Sequence, residues 1–249
     1  LVWCLENGLL LNIGKCGVMT FSLKHILLLF DYMIDDVVLQ RFDVVKDLGV
    51  IFDKKLSFNN HVETMIMSAS KSLGFVLRNG RNFRNSETLS TLYFAFVRTK
   101  LEYACNIWAP GYMIYVNMIE KVQRKFLKFL HYKKFGFYPP RGFPEEELLQ
   151  TFSINSLQER RLYFSFIFLY KIVSGNIDCQ DLLKCMYLLV PRVNARRYDT
   201  FYIFTARTNV RKFSPIYTIC ENYNRNQDMF DIFNTTSRKI KNICLLQAE

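Results

Sequence analysis

The feature that most constrains the fold is a helical periodicity that runs from residue 57 to residue 130. Apolar side chains there recur three and four positions apart in three successive stretches, the pattern of amphipathic helices. We expect the first helix to be capped by Ser57 or Asn59, the second to be capped by Ser86, and the third to cover residues 115–130. Three such helices in succession predict a compact helical bundle.

The residues before this region indicate short strands instead. Asp35-Asp36 stands between two apolar stretches and is typical of a hairpin turn. A second pair of apolar stretches, residues 45–53, has Gly49 at its centre, where an isolated glycine indicates a bulge or the close approach of another backbone. We therefore predict a small antiparallel sheet within residues 1–56.

The residues after the predicted bundle begin with a linker, residues 138–142, which is rich in proline and ends in glycine. A short helix is expected after Pro144, and a longer one over residues 157–174. Beyond that helix the periodicity is lost. We expect loosely packed strands and loops there, followed by a terminal helix near residues 229–244.

Composition agrees with a predominantly helical chain. Half of the 249 residues are hydrophobic and 16% are aromatic, while glycine and proline are sparse. This favours packed helices over a turn-rich β-sandwich. The fold class expected from the sequence is therefore α+β and mostly helical, with three regions at residues 1–56, 57–136 and 143–249.

Positive charge is concentrated in one part of the chain. Residues 76–140 carry a net charge of +8 out of the total of +11. Such a concentration is typical of a surface that binds a polyanion, although a solubilising charged face is the alternative. Four cations recur at i, i+3, i+4 and i+7 on the third predicted helix: Lys121, Arg124, Lys125 and Lys128. Three more lie in or beside the loop between the first two helices: Arg78, Arg81 and Arg84.

The remaining composition argues against several classes of protein. The seven cysteines are odd in number and scattered, without a Cys-x-x-Cys pair, so neither a zinc site nor a disulfide framework is expected. We expect buried thiols in an intracellular protein, nuclear or cytoplasmic and not secreted. No apolar stretch approaches the ~18 residues of a membrane span, so a membrane is not an expected partner.

No catalytic constellation is visible in the sequence. A two-metal site needs converging carboxylates, and the adjacent pair Asp35-Asp36 is expected to be a solvated turn. Neither a nucleophile with its base nor a phosphate loop is present, and we expect no metal or cofactor to be bound by these residues. The aromatic residues between Tyr163 and Tyr170 could stack on bases, but their aliphatic flanks favour a place in the core.

Several motifs, in order from Trp3 to Ile216, resemble the C-terminal part of the reverse transcriptase of a jockey-like non-LTR retrotransposon. One motif of that family is matched by Trp3, Asn7, Leu9, Leu11, Asn12 and Lys15. The family's primer-grip hairpin is similar to Val45–Asp53, and its exit into the thumb is similar to Leu56-Ser57-Phe58 with His61. The likeness continues through Leu92-Tyr93, Val97-Arg98, Leu101-Glu102-Tyr103, Ile107-Trp108, Val122–Phe126, Leu157, Arg160-Arg161, Phe168–Ile172, Gly175–Cys179 and Ser214-Pro215-Ile216.

The resemblance implies a fold and a function. Residues 1–56 would be the end of a polymerase palm, residues 57–136 a helical thumb, and residues 143–249 a C-terminal extension. The family's Ala-Asp-Asp strand, which would stand just upstream, is not in the sequence. The chain is thus expected to be a fragment that binds an RNA/DNA template–primer and is inactive alone. The Mg²⁺ of the parent RNA-directed DNA polymerase, and its N-terminal palm and fingers, would lie outside it.

The resemblance also implies roles for individual residues. Lys15 would lie on the side of the leaving pyrophosphate, although a plain surface lysine remains the alternative. Lys46 and Gly49 would belong to the hairpin whose backbone approaches the primer, with a β-bulge without a ligand as the alternative. The cations of the third predicted helix, and those in or beside the loop between the first two, would hold the template–primer through its phosphates.

A different reading of the same residues remains open. The chain could be a host-adopted basic helical module that binds nucleic acid, or a protein-interaction module, in either case without enzymatic activity. Phosphate contacts give an affinity that falls steeply with salt, whereas an apolar protein interface does not, so a salt series separates these possibilities.

Overall fold

A computed structural model of the chain describes residues 2–9, 11–24, 30–83, 85–190 and 199–245. The described residues form an α+β fold that is mostly helical, as the sequence predicts. Contacts divide the chain into two compact units, Leu1–His61 and Val62–Glu249, and each is treated by itself below.

The strands are short and the helices vary from one turn to six. The strands are β1 (Gly17–Val18), β2 (Met33–Ile34), β3 (Val37–Val38), β4 (Gln40–Arg41), β5 (Val44–Asp47) and β6 (Val50–Asp53). The helices are α1 (Val2–Glu6), α2 (Asn59–Asn79), α3 (Ser86–Tyr93), α4 (Thr99–Glu102), α5 (Cys105–Trp108), α6 (Met113–Phe135), α7 (Glu145–Phe152), α8 (Leu157–Val173), α9 (Gln180–Lys184), α10 (Asn209–Lys212), α11 (Pro215–Asn226) and α12 (Ser237–Cys244).

Among its described residues, the first unit contains two antiparallel hairpins, β2–β3 and β5–β6, and one parallel pair. In that pair β1 lies beside β4, with Gly17 opposite Gln40. The expectation of a purely antiparallel sheet is therefore wrong for β1. Parallel strands need a long connection, and the chain between β1 and β4 supplies one.

Both hairpins turn over two residues with positive φ. Asp35 and Asp36 have φ of 47° and 60°, which confirms the predicted turn. Leu48 and Gly49 have φ of 44° and 86°, so the second hairpin turns in the same way. This is the backbone of a two-residue turn whose twist matches the flanking strands. Gly49 thus lies in the turn, and the bulge, one of the two alternatives for this glycine, is not formed.

A single carboxylate organises the passage from β6 into α2. The Asp53 side chain accepts hydrogen bonds from the backbone N–H groups of Lys55, Ser57 and Phe58, each at 2.9 Å. These bonds satisfy donors that would otherwise be unpaired just before a helix. The first helical residue is Asn59, one of the two residues predicted as the cap, so the helix begins one residue earlier than that cap implies.

The second predicted helix is broken in the structure. Its N-cap is Asn85, whose side chain accepts from Glu87 N at 2.8 Å, so the predicted cap Ser86 is wrong by one residue. A π-helical turn, Phe94–Arg98, joins α3 to α4. Ala104 has a left-handed φ of 53° and separates α4 from α5. The third predicted helix is longer than expected, because α6 continues to Phe135.

A buried polar chain links α3 and α6 to the start of α8. Tyr93 donates from its hydroxyl to Gln123 Oε1 at 2.9 Å, and Gln123 Nε2 donates to the carbonyl of Asn155 at 2.9 Å. The Tyr93 ring also stacks on Phe126, with centroids 4.1 Å apart. Burial raises the pKa of Tyr93 well above its usual value, so this phenol remains a donor.

Two adjacent arginines of α8 form buried ion pairs with earlier helices. Arg160 binds Glu102 of α4, and Arg161 Nη2 lies 3.5 Å from Glu120 Oε1 of α6. Glu120 also accepts from the backbone N–H groups of Leu157 and Gln158, at 3.1 and 2.7 Å. Burial raises the pKa of Glu120, and Arg161 opposes that shift. The start of α8 is therefore held by a carboxylate of another helix as well as by its own Ser156–Glu159 capping box.

The C-terminal part of the second unit is more regular than the sequence predicts. Helix α11 lies where strands and loops were expected, and it packs against α8 together with α12. Asn224 of α11 is buried, and its amide exchanges two hydrogen bonds with the backbone of Phe201, at 2.7 and 3.0 Å. Phe166 of α8 is buried in this cluster, as predicted for the core. The buried members of the cluster are Phe166, Leu169, Phe201, Ile219, Cys220, Tyr223, Phe230, Ile232 and Ile240.

The linker over residues 138–142, expected to separate two regions, lies inside the second unit. The thumb and extension assigned to its two sides remain predictions. The expectation of buried thiols holds for Cys105 and Cys220, while Cys185 is exposed. Burial raises the pKa of the Cys105 thiol to about 12. Among the described helices, none has the length and apolarity needed to span a membrane.

Candidate nucleic-acid interface

The predicted basic stripe lies on the solvent side of α6. The opposite side of the helix is buried and includes Ile119, Val122 and Phe126. Four cations, with Asn117, Glu120 and Glu145, line an open groove of about 530 Å³: Lys121, Arg124, Lys125 and Lys128. Amphipathicity therefore accounts for the stripe, since apolar residues turn inward and the lysines outward.

The four cations differ in their exposure and in the partners that their side chains bind. Lys121 and Lys125 are exposed, and neither forms an ion pair with a described residue. Arg124 is half-buried and donates from Nη2 to the carbonyl of Phe143 at 2.8 Å. Its Nη1 lies 3.8 Å from Glu145 Oε2. Arg124 therefore fastens the start of α7 to α6, which makes it less available to a ligand than the sequence suggested.

Glu145 limits the positive potential of one end of the groove. Burial raises the pKa of Glu145, while Arg124 and Lys128 oppose that shift and Glu146 adds to it. Lys128 is half-buried and interacts electrostatically with the Glu145 carboxylate. The exposed Lys121 and Lys125 consequently give the groove most of its uncompensated charge.

One of the predicted loop arginines, Arg81, lies close to the C-terminal half of α6. The turn Gly80–Asn82 carries Arg81, whose carbonyl accepts a hydrogen bond from Lys133 of α6. A side chain at Gly80 would collide with Leu89, so glycine allows this turn to approach α3 closely. The Arg81 side chain is exposed. It therefore adds a cation beside the end of the stripe.

The other two loop arginines contribute less to the described site. Arg78 is exposed in the last turn of α2, and its guanidinium folds back over Gly74. Arg84 lies outside the described residues, so its predicted role stays a prediction.

The three candidate residues of the first unit are all exposed. Lys15 ends a 3₁₀ turn, Ile13–Lys15. Lys46 lies in β5 opposite Ile51, two residues before the Leu48-Gly49 turn. Lys15, Lys46 and Gly49 do not by themselves form a catalytic arrangement. Among the described residues, no group of three or more His, Cys, Asp or Glu side chains is arranged to hold a metal ion.

Sequence reasoning missed the continuation of the α6 face. Residues 121–144 contain seven cationic side chains and no acidic one, a run that extends past the predicted end of the helix. Tyr132, Lys133, Lys134 and Phe135 occupy the last turns of α6. The signal was present in the charge pattern, because the acid-free run ends only at Glu145.

The fold and this surface define a mostly helical α+β protein with a cationic helix face. Compared with models of protein families, with curated proteins and with solved structures, the chain matches none of them.

Proposed function

We propose that the chain is the template–primer-binding part of an RNA-directed DNA polymerase, the reverse transcriptase of a non-LTR retrotransposon. In this proposal the lysine face of α6 contacts the phosphates of an RNA–DNA duplex. The observation that carries it is the acid-free run over residues 121–144, with exposed Lys121 and Lys125 on one face of a long helix. The family resemblance supplies the identity of the polyanion.

The physical basis is electrostatic. From Lys121 to Lys128 the helix rises about 10 Å, enough for the face to follow several phosphates. Lysine is a point charge that neutralises phosphate without reading a base, so the contacts fix position and give little sequence preference. An RNA–DNA hybrid is recognised through its backbone and A-form shape, which suits such a surface.

In the same proposal the first unit lies near the primer and the leaving pyrophosphate. Lys46 and the Leu48-Gly49 turn correspond to the hairpin that approaches the primer, and Lys15 to the pyrophosphate side. Mg²⁺ and the nucleotide would be held mainly by the Ala-Asp-Asp strand of the parent polymerase, a motif that this sequence does not contain. The chain alone would bind the duplex without extending the primer.

The test is a salt series with a blunt RNA–DNA hybrid, followed by fluorescence anisotropy. Replacing Lys121, Lys125 and Lys128 with glutamine should reduce the slope of log affinity against log salt by about one unit per lost contact. The matched control replaces three exposed lysines elsewhere in the second unit, Lys171, Lys212 and Lys239. If the two triple variants gave equal slopes, the salt dependence of the affinity would reflect net charge alone, and the proposed interface would be refuted.

A protein-interaction module is the second candidate, and one observation favours it. An open, largely apolar cavity of about 780 Å³ in the second unit is lined by Phe168, Met186, Tyr202, Phe204 and Ile216 among others. Exposed apolar surface of this size often marks a binding site. Affinity for a protein partner that used this cavity would change little in the same salt series.

A further inference from the structure

The exposed face of α6 changes in chemistry along the helix. After Lys121, Lys125 and Lys128, the next positions on the same face are Tyr132 and Phe135, at the same spacing of three and four residues. The Tyr132 and Phe135 side chains are 42% and 46% exposed. The face is therefore cationic over the middle turns of the helix and aromatic over its last ones.

The chain that leaves α6 adds two more aromatic side chains. Gly136 ends the helix with a φ of 81°, and its N–H donates to the Tyr132 carbonyl at 2.9 Å. Phe137 and Tyr138 follow at once and are 59% and 58% exposed. The Tyr138 ring stacks on Tyr132, with centroids 4.8 Å apart and planes 12° from parallel. We call Tyr132, Phe135, Phe137 and Tyr138 the aromatic tip.

Contacts beneath the aromatic tip fix its shape. His131 is buried, and its Nδ1 donates to the Phe137 carbonyl at 2.9 Å. The His131 ring also lies 4.6 Å from the Phe135 ring and 5.2 Å from the Phe137 ring. Rings that are already held in place lose little side-chain freedom when a ligand binds to them.

The surroundings of the tip select the kind of ligand. Lys133, Lys134 and Arg141 lie in the same segment, and Lys134 Nζ is 5.4 Å from the centre of the Phe135 ring. Aromatic rings beside cations, with no acidic residue in the segment, match a strand that offers flat bases and negative phosphates. An apolar protein partner would gain nothing from this charge.

We propose that the aromatic tip is a stacking platform for unpaired nucleotides that adjoin the duplex held by the lysines of α6. The inference rests on the proposed function for the duplex and adds a separate site for the single strand. Bases stack on aromatic side chains largely without regard to sequence, so the platform accepts any template.

The experiment compares two fluorescent probes, a blunt RNA–DNA hybrid and the same hybrid with a uridine tail of about six nucleotides, within the site sizes of single-strand binders. The full chain should bind the tailed probe more tightly. Replacing Tyr132 and Tyr138 together with leucine should reduce that advantage by about tenfold, because each stacked base contributes substantially. Binding of the blunt hybrid should stay within about twofold, since the phosphate contacts are kept.

Two further variants test whether the rings themselves matter. Replacing Tyr132 and Tyr138 with phenylalanine keeps both rings and should keep the advantage of the tailed probe. Phe233→Leu removes a ring that is 52% exposed elsewhere in the second unit and should also leave it unchanged. A deoxythymidine tail should bind as well as the uridine tail, because stacking involves the base and not the 2′-hydroxyl.

The two proposals can fail separately. An unchanged advantage in the leucine variant, or one confined to the RNA tail, overturns the stacking platform while duplex binding stands. Failure of the unaltered chain to bind the blunt hybrid at low salt overturns the duplex interface. If the tailed probe still binds in that case and the leucine variant abolishes its binding, the platform is supported on its own.

Discussion

At the scale of single residues, His61 connects a strand to the helix that follows it. The backbone N–H of Ile51 in β6 donates to His61 Nδ1 at 3.3 Å, which requires an unprotonated nitrogen. Burial lowers the pKa of His61 from its usual value of 6.5, and the nearby Lys46 lowers it further. Neutral imidazole is therefore the form that the fold needs.

We predict that acid weakens the fold through this side chain. The pKa of His61 is lower in the folded chain than its usual 6.5, so the unfolded chain binds the proton more readily. The free energy of unfolding therefore falls as the pH drops from 6.5 toward the folded-state pKa. The urea midpoint should decrease between pH 7.5 and pH 5.5 by less in His61→Gln than in the unaltered chain. Identical decreases in both proteins would assign the acid sensitivity to other groups.

At the scale of secondary-structure elements, the start of α8 depends on a carboxylate from α6. Glu120→Gln should lower the free energy of unfolding by about 3–5 kcal/mol, because it leaves the buried Arg161 without its counter-charge. Chemical denaturation measures this. The control is Glu221→Gln, since the Glu221–Arg225 pair has an arginine side chain 68% exposed and should contribute only about 0.5 kcal/mol. Similar losses for the two variants would contradict the role of Glu120.

The same elements show how far sequence reasoning reaches. Helix α8 was predicted within one residue of its end, because Ser156 and Glu159 form a local capping box and Gly175 follows. Helix α11 was missed because its Asn-rich end looks like a loop. In the structure Asn224 is satisfied by the backbone of Phe201, a contact 23 positions away that no local pattern reveals.

The candidate interface likewise has residues whose position the sequence predicts and residues whose contacts it does not. Lys121 and Lys125 were predictable because helical periodicity fixes which side of α6 faces solvent. The engagement of Arg124 with Phe143 and Glu145 was not, since it depends on how the following loop returns to the helix. Lys15, Lys46 and Gly49 rest on resemblance, and their roles remain predictions.

At the scale of the whole molecule, the second unit should unfold as one. Helix α8 packs against α4, α5 and α6 and also against α11 and α12. Substitutions that destabilise the C-terminal cluster should therefore also destabilise α4, α5 and α6.

Tryptophan fluorescence can test this coupling. In a Trp3→Phe background only Trp108 of α5 reports, and it is 1% exposed. Phe166→Ala, in the C-terminal cluster, should shift the Trp108 unfolding transition by about 3–5 kcal/mol. Phe75→Ala, a change at a ring that is 56% exposed on α2, should hardly move it. If Phe166→Ala left the Trp108 transition unchanged, the C-terminal cluster and the helices around Trp108 would fold independently.

The paired arginines of α8 have a consequence for biosynthesis. Glu102 and Glu120 leave the ribosome before Arg160 and Arg161 do, since a chain is made from its N-terminus. Until α8 emerges, Glu102 and Glu120 lack the arginines that they pair with in the complete fold. Synthesis of the first turns of α8 is thus the earliest moment at which both ion pairs can form.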